Sequence, residues 1–509
     1  MDGSAQASFG CAQPSTVRPE PFGCAQDGST EGFVETVPLT AVRPEPVEGH
    51  DHEYPTALTI HPSTSLSRAA SKNSGRTELG QGGAEQLGFG LGGSAGTDVK
   101  TICAGLLTVL GAMLAMPVHA HEGDTFRPFV SYGTFFDSNL FRLADNESPG
   151  TPRSERYSVL SAGLNVDWKP GRQEIVASAT KTRVRYNRNT IYDSDGNDYQ
   201  ATWNWRLGNR LSGNAGATQS LSQSNFDSVG LVNNQVTRKR RFGRAEWEFH
   251  PRWRIGGGIE TADYANSAPS LVSQDVQQRT QDVVLTYRTP KGSSLRAQVR
   301  RIDAEYPNAQ CLSNAFPFCF EVADNSYKQT EYNLLGDWSV SGKLKLHGQA
   351  GWVDRKYENT LRNYSNFFVP APKPRPDFNG LAGRISADWY ATGKTLLSVS
   401  AYQELGGAQD INASSVLKKG ASVNGVWLMR EKWRLNAGAT FENRDFKGDP
   451  GTTQLQRNDD TISETLSISY MPIEAVSVDV GVSAGRRDSN ISVEDYQFHM
   501  LFANVRADF

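Results

Sequence analysis

From Thr125 to Phe509, runs of alternating apolar and polar residues follow one another, joined in turn by very short turns and by longer polar loops. Val476, Val478, Val480, Val482 and Ala484 stand against Ser477, Asp479, Gly481, Ser483 and Gly485. Leu160, Ala162, Leu164, Val166 and Trp168 repeat the pattern against Ser161, Gly163, Asn165 and Asp167, as do Leu295, Ala297 and Val299 against Arg296, Gln298 and Arg300. A period of two puts such sets on opposite faces of a strand. The short turns are WKPGR at Trp168, LGNR at Leu207, HPRW at His250, RTPKGS at Arg288, VSGK at Val340, YATGK at Tyr390, LMREKW at Leu428 and YMPIEA at Tyr470. Most carry Trp or Tyr, whose rings are apolar while their N–H or O–H seeks water, the behaviour expected at a membrane interface.

These features point to an all-β fold, a transmembrane antiparallel β-barrel of about eighteen strands, an even number that returns both termini to the periplasm. Hydrophobic residues make up 38% of the chain and the mean hydropathy is -0.51, too polar for a bundle of membrane helices. A barrel needs only every second residue to be apolar. A soluble β-sandwich would reverse the two faces, but such folds rarely use so many long runs with such short turns. The net charge of -3, with no dominant basic face, excludes nucleic acid as an expected partner. The final run puts Leu501, Ala503, Val505, Ala507 and Phe509 on one face, the form of an outer-membrane sorting signal presented to the barrel-assembly machinery. The expected location is the outer membrane of a Gram-negative bacterium, with its lipid as the surrounding partner.

The first part of the chain follows other rules. Residues 1–98 are rich in Pro, Gly, Ser and charge, and they repeat FGCAQ at Phe9 and Phe22 and VRPEP at Val17 and Val42. They read as a disordered or spurious N-terminal extension, since nothing in them would bury a core. Residues 99–120 read as a secretory signal peptide: Lys100 is the basic region, Ile102 to Met116 the apolar region, and Val118-His119-Ala120 the cleavage site, cut after Ala120. The apolar run, roughly 15 residues, is short of the ~20 that span a bilayer as a helix. Because export signals act at the N-terminus, a signal at this position implies initiation at Val99 or, alternatively, a disordered leader. Cys103 lacks a lipoprotein setting. Residues 121–509 are then the barrel.

Two stretches resemble a narrower group. FRPFVSYGTFFDSNLFRLADN from Phe126, with Asp137-Ser138-Asn139-Leu140-Phe141 within it, and DYQATWNWRLGNRLSG from Asp198 are similar to the outer-membrane proteins associated with exosortase-linked exopolysaccharide biosynthesis. The likeness spans about residues 122–509 and implies a porin-like barrel that helps exopolysaccharide cross the outer membrane alongside an export apparatus. The N-terminal extension departs from that pattern.

Cations at alternate positions mark candidate lumen faces: Lys181, Arg183 and Arg185; Arg238, Arg240 and Arg244 with Glu246 and Glu248; and Arg296 with Arg300. Facing inward, they would bind acidic sugars or set ion selectivity, or else form a mutually neutralising wall that stiffens the barrel. Cys311 and Cys319, the cysteines that remain after signal cleavage, share a loop and would form a disulfide in the oxidising periplasm, contributing about 2–3 kcal/mol. The loop containing YSNFFVPAPKPRP offers rings for stacking on sugars or a segment to fold into the mouth. Asp193, Asp195, Asn197 and Asp198 surround Gly196 without the spacing of a calcium loop, and His250, His347 and His499 lack metal-ligand spacing. No metal, cofactor or catalytic constellation is expected. The functions that remain open are exopolysaccharide export, general or sugar-selective diffusion, and structural or adhesive anchoring of a surface matrix.

Overall fold

A computed structural model describes residues 124–145, 150, 152–226, 230–308, 310–315, 318–357, 376–407, 413–448 and 456–509. The expected N-terminal extension, the expected signal peptide with its Ala120 cleavage site, and the YSNFFVPAPKPRP loop up to its final proline lie outside these residues. The strands of the first half are β1 (Phe126–Asp137), β2 (Glu155–Trp168), β3 (Glu174–Tyr186), β4 (Ser194–Leu207), β5 (Leu211–Gln223), β6 (Gln235–His250), β7 (Trp253–Asn266), β8 (Val276–Arg288), β9 (Ser294–Glu305), β10 (Gln310–Ala315) and β11 (Phe318–Ala323). Those of the second are β12 (Tyr327–Ser341), β13 (Leu344–Tyr357), β14 (Phe378–Thr392), β15 (Thr395–Gly407), β16 (Ala413–Arg430), β17 (Trp433–Gly448), β18 (Asn458–Ile473), β19 (Val476–Ser489) and β20 (Tyr496–Asp508).

All strands except β10 and β11 belong to one 18-stranded sheet, whose ends β1 and β20 pair antiparallel and close it into a barrel. Closure satisfies the hydrogen-bonding rows that an open sheet would leave bare, a requirement in lipid. At the seam the Ser138 amide donates to the His499 carbonyl at 2.9 Å and the Phe509 amide to the Pro128 carbonyl at 2.8 Å. The strand number therefore agrees with the alternation. The extra hairpin β10–β11 lies within the stretch expected to be a loop, and its two runs are too short to display a period. Its register sets Cys311 opposite Val322 and Cys319 opposite Asn314, so the backbone places the two cysteines on different rungs.

One barrel end carries only short connections, such as 208–210, 251–252 and 431–432, whereas the other carries 138–154, 224–234 and 306–326. Gly208 and Gly292 adopt φ of +61° and +84° in two of the short turns, where a side chain would strain the backbone. By the usual arrangement of such barrels the short turns are periplasmic. Trp433 and Tyr470 stack at 4.4 Å on neighbouring strands beside that end, and Trp253 meets Tyr287 at 4.9 Å. Outward positions are apolar and exposed along the barrel, among them Ile259, Val283, Leu334, Leu381, Ile385 and Val480. The match of alternation to lipid outside and water inside makes this an outer-membrane barrel of a Gram-negative bacterium.

Candidate functional site

The inner wall is the candidate site. Cross-strand partners share a face of the sheet, so register alone assigns each side chain to lumen or exterior. On β6 the even residues Arg238, Arg240, Arg244, Glu246 and Glu248 face inward, opposite the exposed Trp247 and Phe249. On β9 Arg296 and Arg300 face inward, opposite Leu295 and Val299. Lys181, Arg183 and Arg185 require a correction. Arg183 pairs with Leu160 and Lys181 with Ala162, on the lipid-side parity of β2, so all three point out of the barrel. Their neighbours Val184 and Tyr186 point in and are buried. Arg185 and Arg183 reach Asp195 at 2.8 and 3.4 Å, and Arg185 also lies 3.8 Å from Asp193, which engages part of the acidic group around Gly196.

That inversion has a cause. Near the long-loop end of β1, β2, β3 and β20, the lumen is filled by a cluster that includes Phe135, Tyr157, Tyr186, Tyr192, Phe226, Phe498 and Phe502. Leu140 and Phe141, from the connection after β1, insert into it. Phe135 stacks on Tyr157 at 4.8 Å, and Phe226 sits edge-on to Phe141 and Tyr192 at 5.0 and 4.9 Å. Polar groups hold the connection in place. Asp137 accepts from the Asn139 amide at 2.9 Å and pairs with Arg142 at 2.9 Å, while Asn139 Nδ2 donates to the carbonyls of Leu143 and Gln497. The Arg142 guanidinium lies 3.7 Å from the centroid of Phe498, an arrangement that favours a desolvated cation. Glu155, fully buried, accepts from the amides of Arg156, Arg188 and Asn189 and from Asn189 Nδ2. The Asp137-Ser138-Asn139-Leu140-Phe141 segment thus forms an inward fold of the β1–β2 connection.

Elsewhere the wall is polar and charge-compensated. Arg240 pairs with Glu260 at 2.7 Å, Arg254 with Glu248 at 2.8 Å, Arg296 with Asp337 at 3.1 Å, Arg300 with Glu331 at 3.7 Å and Arg244 with Asp282. Arg238 donates to Ser222 Oγ at 3.2 Å. One chain of hydrogen bonds crosses five strands: Asp282, held by Arg244, accepts from Gln298, which accepts from Asn333, while Asn333 and Gln329 both donate to Glu331 and Arg355 donates to Gln329. A second begins at Asp337, which holds Ser294 and Arg296 and lies 2.7 Å from His347 Nδ1. His347 Nε2 is 3.6 Å from Asp388, which accepts from Ser398 at 2.6 Å. Farther round, Arg384 pairs with Glu404 at 2.8 Å and lies over Tyr402, whose hydroxyl donates to Glu442, itself paired with Arg444.

The carboxylates Glu260, Asp282, Glu331, Asp337 and Asp388 were not singled out from the sequence. They are isolated acids on separate strands, and only register aligns each with its cation. The residues Leu501, Ala503, Val505 and Ala507 share one parity of β20 and pack with Val130, Phe136, Val476, Val478 and Phe509.

Residues 375–509 match a family model described as "Putative beta-barrel porin 2". No curated protein matches the sequence. Among solved structures, the outer-membrane protein OpdK of Pseudomonas aeruginosa is similar at 10% identity, with a TM-score of 0.41 over 75% of this chain and 99% of that one. A BenF-like porin of Pseudomonas fluorescens Pf-5 has 10% identity and a TM-score of 0.42 over 76% and 99%. OccAB3 of Acinetobacter baumannii has 9% identity and a TM-score of 0.39 over 75% and 99%.

Proposed function

We propose that this porin-like barrel is a passive outer-membrane channel for hydrophilic, weakly charged solutes, with saccharides as the class best suited to its wall. The observation that carries this reading is the pairing of inward guanidinium groups with carboxylates on the next strand or, for Arg244 and Asp282, the next but one, interleaved with Ser, Asn, Gln and Tyr. Compensated charge leaves little net field to repel or concentrate ions, while amide and hydroxyl groups offer the donors and acceptors that sugars use. Nothing in this role requires catalysis. The test is reconstitution in planar bilayers and liposomes. Expected are a stable conductance with weak ion preference and osmotic swelling with neutral sugars; a lipid-embedded barrel that admits neither ions nor sugars would overturn the reading and favour a surface anchor.

Passage of exopolysaccharide is the second reading, favoured by the likeness of the opening strand and the ATWNWRLGNR block to exosortase-associated barrels. Deletion followed by location of the polymer separates the two. Accumulation in the periplasm supports export, whereas normal surface polymer with reduced sugar uptake supports diffusion.

A further inference from the structure

The outer wall carries a feature that the channel does not use. Cross-strand pairing aligns Arg241 on β6, Thr261 on β7, Arg279 on β8, Asp303 on β9, Lys328 on β12 and Lys356 on β13 into a single rung on the outward face. Four of its six members are cations, all of them exposed. Lys239 lies one outward position farther from the membrane on β6, facing Asp263. Two outward positions toward the periplasm, the corresponding rung is Ala245, Gly257, Val283, Val299, Tyr332 and Trp352, with no charge at all. Val283 and Val299 are 59% and 49% exposed there, bare apolar surface on the side that meets lipid. The opposite side of the barrel differs. On β15 to β19 the rung just above Phe441 and Ile462 reads Gln403, Lys419, Asn443, Asp460 and Asp488, where acids outnumber the cation.

We propose that the β6–β13 face is a docking surface for a phosphorylated glycolipid of the outer leaflet. Its phosphate groups meet Arg241, Arg279 and Lys328, and its acyl chains lie along Val283, Val299, Tyr332 and Trp352. The chemistry follows from position. A guanidinium binds phosphate oxygens through paired, charge-assisted hydrogen bonds, and long cationic side chains extend from an apolar surface to the head-group level. Basic clusters beside a hydrocarbon-facing wall are the pattern by which membrane proteins hold anionic head groups. The β15–β19 rung lacks this excess, and the outward Arg183 and Arg185 of β3 are engaged by Asp195, which makes this a local surface rather than a uniform girdle.

The experiment compares the purified full-length barrel with the variant Arg241→Glu/Arg279→Glu/Lys328→Glu, with Lys419→Glu as a control on the other side. Binding of bis-phosphorylated lipid A and of its phosphate-free counterpart is measured by native mass spectrometry, and heat-modifiable gel mobility reports that each barrel is folded. The expected result is specific retention of the bis-phosphorylated lipid by the parent and by Lys419→Glu, with affinity about tenfold or more lower in the triple variant. Equal binding by the folded triple variant, or equal binding of the phosphate-free lipid, overturns the proposal. So does a parent that purifies as a dimer which the triple substitution dissociates, since that assigns the face to a second copy of this chain. Channel activity does not enter the readout, and either outcome leaves the proposed function standing.

Discussion

Arg142 shows how much a single position can demand. Its φ of +54° lies in the left-handed region that few side chains adopt, yet the residue is retained with its guanidinium between Asp137 and the Phe498 ring. Both members of this ion pair are buried, so Arg142→Ala would leave the Asp137 carboxylate desolvated and uncompensated, a loss of about 3–5 kcal/mol. The expected phenotype is a barrel that still inserts but unfolds at lower denaturant, read by heat-modifiable mobility across a urea series. Glu155→Ala removes one acceptor shared by three backbone amides and the Asn189 side chain, and about 2–4 kcal/mol is expected to go with it. The accompanying sign is new protease cleavage between residues 187 and 193. The lumen cations behave differently: Arg240→Glu with Arg300→Glu places new acids beside Glu260 and Glu331, and the reversal potential in a salt gradient should move toward cation preference. Arg183→Glu, on the exterior, should leave it unchanged.

The elements divide the lumen into two unlike halves. Aromatic packing against β1, β2, β3 and β20, completed by the inserted Leu140 and Phe141, obstructs one side near the long-loop end, and the hydrogen-bonded wall from β6 to β17 lines the other. In the proposed channel, passage therefore follows the polar wall. Replacing residues 139–144 with a short Gly-Ser linker should raise single-channel conductance without changing heat-modifiable mobility, and an unchanged conductance would show that the segment does not narrow the path. Most of the strands were legible from alternation and turn chemistry; the turns HPRW at His250, RTPKGS at Arg288 and LMREKW at Leu428 separate β6 from β7, β8 from β9 and β16 from β17. β4 begins earlier than its apolar pattern suggests, at Ser194 rather than near Asp198, because the strand continues where no lipid enforces alternation. The faces of β3 were misread for the same reason. A rule that equates polar with lumen holds only at bilayer depth, and Lys181, Arg183 and Arg185 are set beyond or at its margin by the register with β2.

At the scale of the whole molecule, closure of the sheet through β1 and β20 explains why a chain of such polar composition can lie in lipid: every barrel strand has two hydrogen-bonding neighbours, so the hydrocarbon meets side chains and not bare backbone. The unboiled protein should accordingly migrate faster than the boiled form on a gel and resist trypsin when embedded in vesicles, and full digestion there would contradict a closed barrel. Period-two alternation, turn residues and interfacial aromatics are local properties, written in consecutive residues, and by themselves they determined the fold class, the strand number and the apolar band. What only the tertiary structure decided is which distant charges meet. Arg244 with Asp282, Arg300 with Glu331 and the cationic rung outside all depend on register between strands, and register arises from closure and shear of the complete sheet, a global constraint that no single stretch of sequence contains.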